Sequence, residues 1–251
     1  MDMLKVSHLS KNYGKEVIYQ ALNQISFSIE FGEFVGVMGP SGSGKTTLLN
    51  LLSTVDQPTT GDIEIKGINP IQLKGDELAH FRRRELGFVF QDFNLLDTLT
   101  IGENVVLPLT LDSIPVNEQE KELYTIANIL RIEHLLNKRT YEVSGGEAQR
   151  TAIARAIIRR PSLLLADEPT GNLDSKAARI VMELFEKINK EHHQTTIMVT
   201  HDPVAASYCK RIIFIKDGAI YNEIYSGGSR QQFYQQIIDV LSLLGGEANG
   251  V

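Results

Sequence analysis

The residues with the most specific chemistry are Gly39-Pro40-Ser41-Gly42-Ser43-Gly44-Lys45-Thr46-Thr47, which read G-x-x-x-x-G-K-[ST]. Glycines in this pattern let main-chain N–H groups turn inward around phosphate oxygens. The helix that follows adds its positive end, and the lysine supplies a point charge for β- and γ-phosphates. Thr46 is expected to place a hydroxyl on Mg²⁺, and Thr47 to reach a neighbouring phosphate. Such a loop needs a strand before it and a helix after it. Phe34-Val35-Gly36-Val37-Met38 is an apolar run suited to a buried strand, and Thr46 to Leu52 has the composition of a helix. The expected ligand class is a nucleoside triphosphate.

A second site candidate is Asp167-Glu168, directly after the apolar run Leu163-Leu164-Leu165-Ala166, which suits a sheet covered on both faces. An acidic residue at such a strand end, beside a phosphate loop, is where a metal-directed carboxylate belongs. Asp167 is therefore expected on the Mg²⁺ side, and Glu168 is expected to orient and polarise the attacking water. A third candidate is Ser144-Gly145-Gly146-Glu147. Ser144 and Glu147 form S-x-x-E, a capping box, while the two glycines permit close approach of backbone to an anion. The residues alone leave capping and anion binding both open.

Composition bounds the remaining choices. A chain of 251 residues holds one large domain or two small ones. Hydrophobic content of 42% and charged content of 22% are ordinary for a globular protein, and the net charge of −6 argues against a broad nucleic-acid-binding face. Arg82-Arg83-Arg84 reads as a solvated basic face. A single cysteine, Cys209, excludes an internal disulfide framework and is expected as a small buried hydrophobe. The first residues carry no signal-peptide pattern, and no run of about 18 apolar residues exists. Work at a membrane would require another chain to hold this one there.

Around the motifs, Leu4 to Leu9 and Val17 to Ile29 read as strands separated by a turn at Lys11-Asn12-Tyr13-Gly14. Asp62 to Lys66 is a plain alternating strand. A helix is expected from about Ile71, then a strand Leu86 to Phe90 that ends at Gln91. Helices are expected over Ile101–Pro108, Asn117–Leu130 and Gly145–Ile158. Ala177 to Lys190 is helical with Ile180, Leu184, Phe185 and Ile188 inward, Thr196 to Val199 is a buried strand, and a short helix lies near Pro203 to Tyr208. Asp217-Gly218 signals a hairpin between Arg211–Ile215 and Ala219–Ile224. Beyond a linker at Ser226-Gly227-Gly228-Ser229, Arg230 to Leu244 puts Phe233, Ile237, Val240, Leu241 and Leu244 on one helical face, with Gly245-Gly246 as its stop. That face suits docking on its own domain, on a second copy or on a membrane partner.

Taken in this order, over residues 3–225, the motifs resemble the ATP-binding subunit of ATP-binding-cassette (ABC) transporters. The resemblance implies that Tyr13 stacks on adenine and that Gln91 touches Mg²⁺ and water and senses a membrane partner. It implies that Ser144-Gly145-Gly146 is the signature segment, which binds the γ-phosphate of ATP held by another subunit. Asp167 and Glu168 match the metal aspartate and the catalytic glutamate, Asn172-Leu173-Asp174 the loop that crosses the dimer interface, and His201 the switch histidine near the γ-phosphate. Val143 and Glu147 depart from the usual Leu and Gln of the signature. In a capping-box pose Glu147 would bend back to the Ser144 N–H, away from ATP.

Phe90-Gln91-Asp92-Phe93-Asn94-Leu95-Leu96 and Glu103 to Leu109 resemble the group that serves lipoprotein release, macrolide efflux and related permeases. Met198 to Cys209 and the tail ending Leu243-Leu244-Gly245-Gly246 resemble the BceA type within it, whose ATPases drive bacitracin- and lantibiotic-resistance transporters of Gram-positive bacteria. Those ATPases work with a large permease that has an extracellular domain and is often coupled to a histidine kinase.

The expected fold is therefore α/β, a P-loop (RecA-like) core with a mostly parallel sheet, an antiparallel β part near the N-terminus and a helical subdomain inserted at about 92–155. Residues 1–225 would form one nucleotide-binding domain, and residues 226–251 a C-terminal helix and tail. The expected activity is ATP hydrolysis, with ATP and Mg²⁺, in a head-to-tail homodimer at the cytoplasmic face of a membrane, driving a permease. Lipoprotein-release, macrolide-efflux and cell-division-type ATPases are alternatives. A soluble ABC ATPase acting on DNA or ribosomes would usually carry a coiled-coil insertion or tandem cassettes, and neither is present. Phe93 and Leu95 are candidates for part of the permease-docking surface, with burial as their other reading.

Overall fold

The computed structural model describes residues 2–14 and 16–246. Two sheets organise it. Strands β1 (Asp2–Tyr13), β2 (Tyr19–Glu30) and β4 (Thr60–Ile65) form an antiparallel three-stranded sheet in the order β2-β1-β4. The second sheet has six strands, in the order β5-β6-β7-β3-β8-β9: β3 (Phe34–Met38), β5 (Leu86–Val89), β6 (Leu163–Asp167), β7 (Thr195–Val199), β8 (Arg211–Lys216) and β9 (Ala219–Tyr225). The first five of that order are parallel, and β9 returns antiparallel from β8. The hairpin between β8 and β9 turns at Asp217 and Gly218, both in the left-handed region, as its Asp-Gly pair predicts.

The apolar strands are explained by what lies on either side of the large sheet. Val35, Leu163, Leu165, Ile197, Val199, Ile213 and Ile215 face a core shared with the small sheet and with helix α1 (Lys45–Leu52). Their neighbours Phe34, Leu164, Ala166, Met198, Ile212 and Phe214 face the opposite core. With both faces covered, the usual apolar–polar alternation disappears and each strand reads as a continuous apolar run. The second core is built with α3 (Ile101–Leu111), α4 (Val116–Leu130), α5 (Gly145–Ile157) and α6 (Ser175–His192). Helix α2 (Gly75–Glu85) precedes β5, and α7 (Pro203–Ala206) precedes β8.

Several local expectations shift. The predicted turn at 11–14 belongs largely to β1, which runs to Tyr13 opposite Tyr19. The turn is displaced toward Val17 and Ile18, which are 84% and 67% exposed, because bulges along β1 carry the pairing further than simple alternation allows. The expected helix from Ile71 begins as a 3₁₀ turn, Pro70–Gln72, capped by Asn69, and α2 starts only at Gly75. Helix α3 runs through Pro108 instead of ending there. A capping box at Thr100 and Glu103 and the burial of Ile101, Val105 and Leu109 outweigh the single bond that proline removes. Strand β5 stops at Val89, leaving Phe90 outside the ladder and stacked on Phe88 at 4.2 Å.

Helix α8 (Arg230–Gly246) settles its own docking. Phe233, Ile237, Val240 and Leu244 are buried in the second core of the same chain, against α7 and β9, and Leu241 is half-buried. Burying each such side chain stabilises by roughly 1.5–3 kcal/mol, so the helix has ample reason to stay on its own domain. Arg230 stacks over Tyr208 at 3.7 Å and pairs with Glu186 at 2.8 Å. Gly245 and Gly246 continue the helix rather than stopping it, and the remainder of the expected tail, 247–251, lies outside the described residues.

Candidate functional site

In a parallel sheet all C-terminal strand ends lie along one edge. The order β5-β6-β7-β3 therefore aligns Gln91, the Asp167-Glu168 pair, Thr200-His201 and the phosphate loop in one row. No single stretch of the chain could do this.

The loop 39–44 leaves β3 and enters α1. Gly44 is the N-cap, with φ 103°, and α1 has neither a side-chain cap nor an acidic residue in its first turn. Its first amides are thus left for an anion. A Cβ at Gly44 would come within 2.4 Å of the Ala21 carbonyl oxygen, so glycine is required by close approach as well as by φ. Ser43 Oγ is buried with no hydrogen-bond partner, a donor waiting in the wall of the cradle. Gly39, Ser41 and Gly42 complete the turn, with Ser41 and Gly42 exposed. Lys45 Nζ donates to the carbonyls of Gly39 at 2.9 Å and Pro40 at 2.8 Å, lying across the loop mouth. Burial lowers its pKa, and the nearby Glu168 and Asp167 charges oppose that shift. Thr46 is exposed and Thr47 half-buried on the first turn of α1.

Asp167 is the last residue of β6. Its pKa is raised by burial and by the adjacent Glu168 charge, against the pull of Lys45. Glu168 sits at φ 45°, a conformation costing of order 1–3 kcal/mol for a non-glycine residue. It is held there by its amide donating to Val199 O at 2.9 Å and by Gly171 N–H donating to its carbonyl at 2.9 Å. The result aims its carboxylate at His201. Glu168 Oε2 accepts from the His201 N–H at 3.2 Å, and Oε1 lies 2.9 Å from His201 Nδ1.

Gln91 lies just past β5. Its Nε2 donates to Asn172 Oδ1 at 3.2 Å, and Asn172 Nδ2 donates back to Gln91 O at 3.2 Å and to Asp92 Oδ1 at 2.7 Å. A Cβ at Gly171 would meet Gln91 Nε2 at 2.9 Å, which fits Gly171 against that side chain. Asp174 spends one carboxylate oxygen capping α6, accepting from Lys176 N at 2.9 Å and Ala177 N at 3.0 Å; those amides lower its pKa.

Tyr13 stands near the end of β1, its hydroxyl donating to Asp56 Oδ2 at 2.8 Å. Lys11 Nζ bonds Asp56 Oδ1 at 2.6 Å and lies 4.8 Å from the Tyr13 ring centre. Tyr19, opposite Tyr13 in the hairpin, donates its hydroxyl to Gly42 O at 3.1 Å. Lys11, Tyr19 and Asp56 were not singled out by sequence reasoning. Tyr19 is placed by its pairing with Tyr13, which the strand register decides, and Asp56, isolated in a loop, carried no local signal.

No hydrogen bond among the described residues joins Ser144, Gly145 or Gly146 to the phosphate loop. Ser144 caps α5, and Glu147 Oε2 accepts from both the Ser144 N–H and Oγ–H at 2.8 Å. Capping is thus present in the folded chain. The backbone bond to Ser144 is the largest cause of the lowered Glu147 pKa, with burial opposing it. Gly146 lies against Ala177 of α6, and Gly145 against Leu173 and Phe93.

Mg²⁺ held by a nucleotide takes most of its ligands from phosphate and water, with one or two protein oxygens. Among the described residues no group of three or more His, Cys, Asp or Glu forms a metal cage of its own. One hydroxyl, Thr46, and one carboxylate, Asp167, at the loop fit that donor set.

Comparison with known proteins gives the family. The "ABC transporter" family model matches residues 22–171. The chain is 66% identical over 248 residues to the ABC transporter ATP-binding protein YxdL of Bacillus subtilis (strain 168), covering 99% of this chain and 96% of that one. It is 47% identical to the bacitracin export ATP-binding protein BceA of Halalkalibacterium halodurans, covering 99% of both. A solved dimer of the ATP-binding cassette MJ0796 in a post-hydrolysis state, bound to ADP and Pi, superposes with a TM-score of 0.82 at 41% identity, over 90% of this chain and 100% of that one. The chain therefore belongs to the ABC transporter family as an ATP-binding, ATP-hydrolysing subunit.

Proposed function

We propose that two copies of this chain pack head-to-tail with ATP between the phosphate loop of one and Ser144-Gly145-Gly146 of the other. The supporting observations are that the side chain of Ser144 bonds Glu147 of its own helix and nothing in the phosphate loop among the described residues, and that the similar cassette MJ0796 was solved as a dimer bound to ADP and Pi. In this reading Gly39 to Thr47 cradle the phosphates, Lys45 meets the β- and γ-phosphates, and Tyr13 stacks on adenine. Thr46 and Asp167, with Gln91 beside them, would hold Mg²⁺, which when bound would supply charge neutralisation on the phosphate oxygens. Glu168, fixed on His201, orients the attacking water and takes its proton, and Asp174 faces the dimer seam. Catalysis is positioning plus electrostatic stabilisation, as for phosphoryl transfer generally. Mixing the protein with ATP and following its mass in solution tests the pairing. A Glu168→Gln chain that stays monomeric at saturating ATP would overturn it.

The work is done on a membrane permease, with this chain peripheral at the cytoplasmic face. No helix among the described residues is long and apolar enough to cross a membrane. The groove beside the Gln91 loop, ≈ 530 Å³ and lined by Asp92, Phe93, Leu95, Tyr141 and Val143, is the proposed docking surface. Phe93 and Leu95 are only half-buried there. The permease is inferred to be of the type with an extracellular domain, coupled to a sensor histidine kinase, and the cargo class to be antimicrobial peptides such as bacitracin or lantibiotics. The relative named for bacitracin export supports this, because its likeness covers 99% of this chain. Macrolide export is the second reading, supported by 43% identity to MacB of Campylobacter jejuni over 88% of this chain and 34% of that one. Deleting the encoding gene and measuring growth inhibition by bacitracin, a lantibiotic and a macrolide separates them. Unchanged peptide sensitivity would overturn the first.

A further inference from the structure

Gln149 lies on α5, just beyond the signature segment, and is wholly buried. Its Nε2 donates to Pro169 O at 2.8 Å and approaches Phe90 O at 3.4 Å. Phe90 directly precedes Gln91, and Pro169 directly follows Glu168. One side-chain amide therefore joins the signature helix to both catalytic loops of the same chain. Its other end, Oε1, is buried with no partner. A buried acceptor without a hydrogen bond is costly, and a methionine of similar length would avoid that cost. The amide is present for what its nitrogen holds.

Two further contacts define the linkage. Arg155, farther along α5, donates to Asn94 O at 2.6 Å and Phe93 O at 2.9 Å, so the helix grips the loop after Gln91 a second time. Gln91 and Asn172 exchange hydrogen bonds between the two loops. The loops are thus tied to each other and, through Gln149, to α5.

We propose that Gln149 is a positioning residue through which the signature helix of a subunit carries Gln91 and Glu168 of that same subunit, so that seating α5 on a partner's ATP sets the geometry of its own hydrolytic carboxylate. This rests on the ATP-sandwich reading above. It adds a route within each chain by which the two sites of a dimer act together.

The test uses Gln149→Met, which keeps length and apolar bulk but has no donor. Misplacing a reacting group by about an ångström costs up to about a hundredfold in rate. Gln149→Met is therefore expected to lower kcat about tenfold or more, with KM for ATP within about twofold and an unchanged thermal midpoint. In a Glu168→Gln background it should still dimerise with ATP. A kcat within about twofold of the parent, or a loss matched by equal loss of thermal stability and ATP binding, overturns the proposal. Hydrogen exchange on Glu168→Gln alone gives a second reading that needs no change at 149. ATP-driven dimerisation should slow exchange at residues 90–92 and 170–172 together with 145–149. Slowing confined to 145–149 overturns the proposal. Failure of Glu168→Gln to dimerise at all is instead the failure of the sandwich reading, and removes this inference with it.

Discussion

Glu168 Oε1 lies 2.9 Å from His201 Nδ1, while Glu168 Oε2 accepts from the backbone N–H of the same histidine at 3.2 Å. The carboxylate is thus held at two points by one residue from the end of the neighbouring strand, with its own backbone in the left-handed region at φ 45°. Neither the ring nor the strained turn would fix the carboxylate alone. Together they hold it toward His201, in the row of strand ends that includes the phosphate loop.

From this arrangement, Glu168→Gln should lower hydrolysis by about a hundredfold to ten-thousandfold, the range for losing a general base. ATP binding should persist. His201→Ala should lower kcat less, because the backbone N–H remains to hold Oε2. Steady-state hydrolysis and equilibrium ATP binding, measured on both variants, check this. Near-normal turnover by Glu168→Gln would remove that residue from the mechanism.

Asp167 gives a pH dependence whose sign can be worked out. Its pKa is raised in the folded chain by burial and by Glu168. The folded state therefore binds the proton more tightly than the unfolded state, and the stabilisation from protonation is lost as pH rises through the raised value. Asp167→Asn should leave the nucleotide-free protein as stable as, or more stable than, the parent near neutral pH. A metal needs the ionised carboxylate, so the Mg²⁺-dependent part of ATP affinity should fall on acidification before ordinary carboxylates titrate, and should vanish in Asp167→Asn. Thermal melts and ATP titrations with and without Mg²⁺ over a pH series measure both. A marked loss of nucleotide-free stability in Asp167→Asn would contradict the assigned origin of the shift.

Glu147 puts a negative charge in the signature segment, yet its carboxylate is turned back on Ser144 at 2.8 Å. Glutamine can accept the same backbone hydrogen bond, though more weakly for want of charge. Glu147→Gln is therefore expected to change the hydrolysis rate by less than about tenfold, under ~1.4 kcal/mol in barrier. A loss of several decades in kcat would show that Glu147 itself touches the reacting groups.

Phe233 is 1% exposed and anchors α8 in the core. Phe233→Ala should destabilise by about 3–5 kcal/mol if the cavity does not collapse. Its effect should appear in the thermal midpoint of the isolated protein. An unchanged midpoint would mean that α8 contributes nothing to its own domain and is free for another partner.

What could be read in the linear chain was local. The phosphate loop, the acidic pair after β6 and the S-x-x-E box each complete their pattern within nine consecutive residues. Periodicity likewise marked α6, and continuous apolar runs marked the strands buried on both faces, because each pattern is complete within one run of side chains. The reading slipped where pairing partners decide: β1 continues through Asn12 and Tyr13 because β2 lies opposite, and α3 continues through Pro108 because its apolar face is buried.

The sequence by itself determined the nucleotide chemistry, the α/β class and the apolar faces. Only the tertiary structure decided that Glu168 rests on His201, that Gln91 is laced to Asn172, that Lys11, Tyr13 and Asp56 form one cluster, and that Gln149 spans two loops. The physical reason is that these contacts join segments far apart along the chain; Glu168 with His201 and Gln91 with Asn172 meet because their strands are neighbours in the parallel sheet. Nothing in the spacing of a lone glutamine or aspartate records which strand will be its neighbour.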